Sequence, residues 1–229
     1  MVYVMIKMGG KGVRFGAEIP KQFLGIYDRP LFCYLLEQYE SLNCIDGYII
    51  VTNKDYVDFT TEKAKEVLGE KLLEVTVGGE TGGGSIYNGI MCAKSYLNDG
   101  DILLMHDATD PILAKEKIDE LIQAAKTYVF ASIYSEQVRV IYQKTEDDFV
   151  EGNYQKNSVG SGYSPEAFRF RAVYDLFKLA SEEEYANIPS VASLAVTKGY
   201  RPKLILSHTL PLKITYPEDF DVLKKIVGE

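Results

Sequence analysis

The sequence predicts an α/β fold: a three-layer α/β/α sandwich around a mostly parallel central sheet, with one β-arm protruding from it. Short apolar runs alternate with longer segments of helical period, the pattern of strands buried on both faces by crossover helices. A glycine-rich stretch directly follows the first apolar run, where an open parallel sheet places its ligand loops. At 229 residues and 46% hydrophobic composition the chain can bury one substantial core, so residues 1–229 are expected to form a single domain.

The strand candidates are 2–8, 48–52, 73–77, 102–106, 129–134 and 203–206. The helix candidates are 30–42, 56–68, 85–97, 115–127, 165–180 and 217–227. The first and the last open on a proline, whose missing N–H costs nothing at a helix start. Residues 136–162 break the alternation with a β-like run at 138–143, an acidic turn at 146–148 and a polar return. Long excursions of this kind in compact domains are functional or mobile, and here the pattern reads as the β-arm.

The net charge of −8 argues against nucleic acid or an anionic membrane as the main partner. Its distribution is uneven. Between Met1 and Arg29 five bases face two acids, a local +3 that leaves −11 on the remainder. A cationic island on an acidic protein suits a compact polyanion such as a triphosphate. The three cysteines have no C-x-x-C spacing, so neither disulfides nor zinc is implied. With no apolar run of membrane-spanning length and no signal-peptide layout, a cytoplasmic location is expected.

The sharpest local feature is Met8-Gly9-Gly10-Lys11-Gly12-Val13-Arg14-Phe15-Gly16, followed by Pro20-Lys21-Gln22-Phe23-Leu24. Glycines at a strand's carboxyl end let backbone N–H groups converge on phosphate oxygens, and Arg14 and Lys21 can neutralise the charge held there. A dinucleotide fingerprint would need glycine where Phe15 stands. A Walker A loop would need lysine and a hydroxyl residue where Ala17 and Glu18 stand. Both classes fail on spacing.

What the stretch does resemble is the G-G-x-G-x-R-x-G and P-K-Q-F-L pattern of the cytidylyltransferases that activate methylerythritol 4-phosphate or ribitol 5-phosphate. The resemblance continues in order through Val77-Gly78-Gly79-Glu80-Thr81 running into Ser85, Met105-His106-Asp107-Ala108, Tyr163-Ser164-Pro165-Glu166-Ala167-Phe168, and Leu212-Lys213-Ile214-Thr215-Tyr216-Pro217-Glu218-Asp219. It implies a Rossmann-like fold and transfer of CMP from CTP to a polyol or sugar phosphate, with release of pyrophosphate. It implies that Arg14, Lys21 and Lys213 are catalytic cations and that Asp107 holds Mg²⁺. Met8, Gly9, Gly10, Gly12, Gly79, Ser85 and Asp107 would contact the nucleotide, and Ser164 and Lys156 the acceptor, with Lys156 reaching across a homodimer. His106, a lone histidine in an apolar strand, reads instead as a hydrogen-bonded core residue.

Several positions depart from that pattern. Gly82, Gly83 and Gly84 stand where the family carries an arginine before the serine, and Asp110 stands where H-D-x-x-R-P has its arginine. Pro189-Ser190 replaces a T-D pair, Pro211 replaces an asparagine, and Lys156 replaces an arginine. The triphosphate half is largely kept and the acceptor half is altered. Two readings follow: an active transferase with an unusual acceptor, or a diverged nucleotide-binding homologue acting as a binding or regulatory module.

Overall fold

The computed structural model describes residues 1–9 and 19–228. The elements run β1 (Val2–Met8), the small hairpin β2 (Gly25–Ile26) and β3 (Arg29–Pro30), α1 (Leu31–Glu40), β4 (Gly47–Thr52), α2 (Val57–Leu68), β5 (Leu72–Val77), α3 (Gly82–Ala93) and β6 (Ile102–Asp107). Then follow α4 (Ile118–Tyr128), β7 (Phe130–Glu136), β8 (Tyr142–Lys144), β9 (Val150–Asn153), β10 (Gly160–Arg169), α5 (Phe170–Leu179), α6 (Glu182–Tyr185), α7 (Val191–Thr197), β11 (Lys203–Leu206) and α8 (Pro217–Val227).

Seven strands form one sheet in the order β11-β7-β10-β6-β1-β4-β5. Every neighbouring pair is parallel except the two that β10 makes with β6 and β7. The alternation of side chains along the strands sorts the core into two layers. Val4, Ile6, Ile50 and Leu104 pack against Phe32, Leu36 and Tyr39 of α1, Leu68 of α2 and Leu121 of α4. On the other face Met5, Ile49, Leu103 and Phe168 meet Ile86 and Ile90 of α3, Val173 and Phe177 of α5, and Leu194 of α7. This is the three-layer arrangement that the alternation predicts.

One expected helix starts late. Residues 165–169 belong to β10, and α5 begins only at Phe170. Pro165 sits in a central strand rather than at a helix start. The register of β10 against β7 slips between Tyr163 and Glu166, and a bulge is where a strand tolerates a residue without an N–H. The expected β-arm is present: β7 and β10 run past the sheet as a ribbon, and β8 and β9 pair beyond them around the acidic turn. Short helices α6 and α7 have no counterpart in the sequence reading; each is capped by a serine, Ser181 and Ser190.

Helix α3 begins at Gly82, earlier than residue 85, because Thr81 caps it: its hydroxyl accepts from Gly84 N at 3.0 Å. Gly83 N donates to Ala186 O at 3.2 Å, and a Cβ on Gly83 would lie 1.6 Å from the Tyr185 carbonyl oxygen. Backbone, not a mobile side chain, fills that space. Gly83→Ala should therefore lower the urea unfolding free energy by roughly 1–3 kcal/mol, the cost of overpacking. Gly82→Ala, whose Cβ meets nothing within 4 Å, should be neutral or slightly stabilising, and equal effects at the two positions would refute the close docking of α6.

Candidate active site

The strand order reverses at β1, which has β4 on one side and β6 on the other. Loops leaving the carboxyl ends of strands at such a point diverge and leave a crevice. The glycine-rich stretch begins there. Gly9 is described, while Gly10, Gly12 and Arg14 lie outside the described residues. Met8 is buried, and its carbonyl accepts from the buried Gln22 Nε2 at 2.7 Å, which anchors the start of the loop to the segment carrying Lys21.

The loop after β5 closes on the same place. A Cβ on Gly9 would lie 3.0 Å from Ser85 Oγ, and one on Gly79 2.6 Å from the carbonyl carbon of Gly84, so these backbones approach as only glycines allow. The Ser85 hydroxyl is buried and engaged: it accepts from Gly79 N at 3.1 Å and donates to Thr81 O at 3.0 Å. Its visible work is to fix the loop carrying Gly79. The structure thus brings Gly9, Gly79 and Ser85 together.

Across the crevice stands a cluster of charges. Asp107, the last residue of β6, holds Lys213 Nζ at 3.0 Å and Lys7 Nζ at 3.4 Å on one carboxylate oxygen. Its other oxygen accepts from the Thr109 hydroxyl at 2.8 Å and amide at 3.1 Å. Burial alone would push the Asp107 carboxyl up, but Lys7, Lys213 and Thr109 together hold it well below the usual carboxylate range. Lys213 is also partly desolvated, and the two aspartates more than offset that, keeping it charged. Asp110 does not turn to solvent: its carboxylate takes Lys213 Nζ at 3.2 Å and Ser164 N at 3.2 Å. The Ser164 hydroxyl accepts from Asp107 N at 3.1 Å, so the β10 bulge aims this residue into the cluster.

The closing segment is locked from behind. Ile214 is fully buried against Leu31, Phe220 and Leu223, and its amide donates to Thr109 O at 2.7 Å. Asp219, in the first turn of α8, accepts from Thr215 N and Tyr216 N at 2.8 Å each. Lys21 Nζ donates to Ile214 O, bringing it beside the segment that carries Lys213. Lys156 lies apart from these contacts, exposed in a single helical turn on the arm. His106 is a core residue as expected: Nε2 donates to Asp110 O and Nδ1 pairs with the Tyr39 hydroxyl, both at 2.8 Å. Burial pushes its pKa down, so the ring is neutral.

Three members of the site escaped the sequence reading. Gln22 sits inside a recognised motif and Lys7 in the strand just before one, and the sequence assigns a role to neither. Glu166 is buried, and its carboxylate caps α7 by accepting from Val191 N at 3.1 Å and Ala192 N at 2.9 Å. Burial pushes its carboxyl up against the pull of those amides and of Lys7. The signal for it was a glutamate set between apolar neighbours.

No cluster of three or more His, Cys, Asp or Glu side chains suited to a metal occurs among the described residues. A single ionised carboxylate still fits Mg²⁺ of the substrate-bridged kind, which takes one or two carboxylates and completes its shell with phosphate and water. Asp107 is the residue that would supply it. When bound, the ion would neutralise triphosphate charge and polarise the reacting phosphoryl group.

A carboxyl whose folded pKa lies below its unfolded value stabilises the fold above that unfolded value, about 4, and the contribution drains away as the pH falls below it. Asp107→Asn should therefore flatten the loss of folding stability between about pH 4 and pH 2.5, read by urea titration at stepped pH. Parallel curves for the two proteins would show that the pair adds nothing.

The family model described as 2-C-methyl-D-erythritol 4-phosphate cytidylyltransferase matches residues 2–229. An enzyme of that name from Petrotoga mobilis is 27% identical over 226 residues, covering 99% of this chain and 98% of its own. A ribitol-5-phosphate cytidylyltransferase from Vibrio parahaemolyticus is 28% identical over 228 residues, covering 99% and 96%. The crystal structure of 4-diphosphocytidyl-2C-methyl-D-erythritol synthase from Anaerococcus prevotii superposes with a TM-score of 0.82 at 19% identity, covering 100% of this chain and 96% of that one, which speaks for the fold. The fold, the ordered motifs and the match along nearly the whole sequence place this chain in the 2-C-methyl-D-erythritol 4-phosphate cytidylyltransferase family.

Proposed function

We propose that this chain transfers CMP from CTP to the phosphate of a polyol or sugar phosphate, of the methylerythritol 4-phosphate or ribitol 5-phosphate type, releasing pyrophosphate. The observation that carries the reading is the convergence of Asp107, Lys213 and Ser164 at the carboxyl edge of β6, beside the strand that leads into Gly9. An oxygen of the acceptor phosphate attacks the α-phosphorus of CTP, a new P–O bond forms, and the bond to the β-phosphate oxygen breaks as pyrophosphate leaves. The attacking oxygen is already ionised at neutral pH, so no general base is needed. Positioning and cations carry the rate. Lys213 and Lys21 flank the same backbone segment and supply two of those cations, and Arg14 would add a third. Both named relatives are transferases, which favours catalysis over a nucleotide-binding module.

Asp110 bears on the acceptor. It is nearly buried and shares Lys213 with Asp107, so a dianionic phosphate meets a lysine whose charge is already divided. Pyrophosphate release should be measured with CTP, Mg²⁺ and a panel of methylerythritol 4-phosphate, ribitol 5-phosphate, glycerol 3-phosphate and sugar phosphates. At least one acceptor should turn over, and Lys21→Ala should abolish most of that turnover. Methylerythritol 4-phosphate should be a poor substrate that improves in Asp110→Arg, because losing a charge-assisted hydrogen bond costs about 1.5–3 kcal/mol. Silence with every acceptor would reject the transfer reading; brisk turnover of methylerythritol 4-phosphate would reject the charge argument.

The working unit is proposed to be a homodimer joined by the arm. Val138, Tyr142, Phe149 and Val150 on this ribbon are all exposed, and an isolated two-stranded excursion is marginal in water unless it packs on something. Three free thiols fit a cytoplasmic setting, and no helix among the described residues is long and apolar enough to cross a membrane. Light scattering at micromolar concentration should give twice the chain mass, and Phe149→Asp with Val150→Asp should halve it without loss of helical circular dichroism. A monomer in the unmodified protein would exclude the arm, and Lys156, from a shared site.

A further inference from the structure

Lys7 occupies the second-to-last position of β1, on the same rung of the sheet as Asp107. Its side chain projects to the α3 and α5 face and is only 24% exposed, yet it carries an ammonium. Partial burial of a charge needs a reason. The position immediately precedes the glycine-loop motif, and neither the fold nor the triphosphate contacts above require a lysine there.

Its contact is loose. At 3.4 Å from the Asp107 carboxylate it forms an ion pair without a hydrogen bond, while Lys213 makes hydrogen bonds of 3.0 and 3.2 Å to Asp107 and Asp110. Without Lys7 the three remaining charges sum to −1, and the buried Glu166 lies on the same sheet face. A dianion approaching Ser164 would meet an excess of carboxylate among these side chains. With Lys7 the quartet is neutral, and one of its two cations is held weakly enough to be transferred to an incoming oxyanion.

Resting on the reading of the site as a cytidylyltransferase, we infer that Lys7 is a phosphate-binding residue of its acceptor half, supplying from β1 the positive charge that the loop after β6 forgoes by carrying Asp110. The geometry favours the acceptor over the triphosphate. Lys7, Asp107 and Ser164 lie on three successive strands, β1, β6 and β10, while Lys21 comes from the segment before β2 and donates to the Ile214 carbonyl.

The test uses full-length Lys7→Met, Lys7→Gln and Lys7→Arg, each checked for an unchanged urea midpoint. Inorganic phosphate is titrated calorimetrically into the CTP- and Mg²⁺-loaded protein, which reads the subsite without turnover; CTP is titrated separately. The two neutral variants should bind phosphate about tenfold more weakly or worse, the scale of one charge-assisted hydrogen bond. CTP affinity should stay within about twofold on the same scale, and Lys7→Arg should recover most of the phosphate affinity. With any acceptor the unmodified protein turns over, KM for that acceptor should rise in parallel while KM for CTP holds. Weakened CTP binding would overturn the inference by moving Lys7 to the triphosphate, and unchanged phosphate binding would leave it a structural counter-ion. Absence of turnover in the unmodified protein would count against the transferase reading alone, since the phosphate titration stands without it.

Discussion

Four stretches of chain that are distant in sequence meet at one residue, Asp107. Asp107 receives Lys7 from β1, Lys213 from the segment before α8 and Thr109 from its own loop, while its amide holds Ser164 of β10. A carboxylate desolvated at a strand end is unfavourable until it is paired. The surrounding loops supply the partners, and in doing so they fix where each loop runs. Remove the charge and the closing segment keeps its apolar anchor at Ile214 but loses one of the two carboxylates that hold Lys213.

Much of the fold was legible because period carries it. The strands β1 and β11 and the helix α8 have the predicted ends, since short apolar runs with polar boundaries have little freedom in a parallel sheet. β10 was hidden for a physical reason. A proline followed by Glu166 and an apolar stretch satisfies the rules for a helix start, and only tertiary pairing between β6 and β7 turns those residues into a strand. Helices α6 and α7 are too short for periodicity to show.

The site divides in the same way. Asp107, Lys213, Gly79 and Ser85 were marked by ordered motifs, and the structure assembles each of them around the crevice. The loop-fixing bonds of Ser85 and the division of Lys213 between two aspartates depend on distances that spacing does not encode. Lys7 illustrates the limit. In the sequence it is an interruption of an apolar run, and its meaning emerges only when β6 is laid beside β1 and the side chain is found facing Asp107.

The slip of register between Tyr163 and Glu166 separates the ribbon into two mechanical parts. Outward of it, β10 has β7 as its partner while β7 keeps β11 as far as Tyr134, and the ribbon then continues to β8 and β9. Inward of it, the same two strands are bound into the sheet. Where the ladder is interrupted in this way the strand bends and its twist increases. Ser164 lies within that interruption and bonds both the Asp107 amide and the Asp110 carboxylate, so the arm is tied to the charged cluster at the very residue where its strand leaves the ladder.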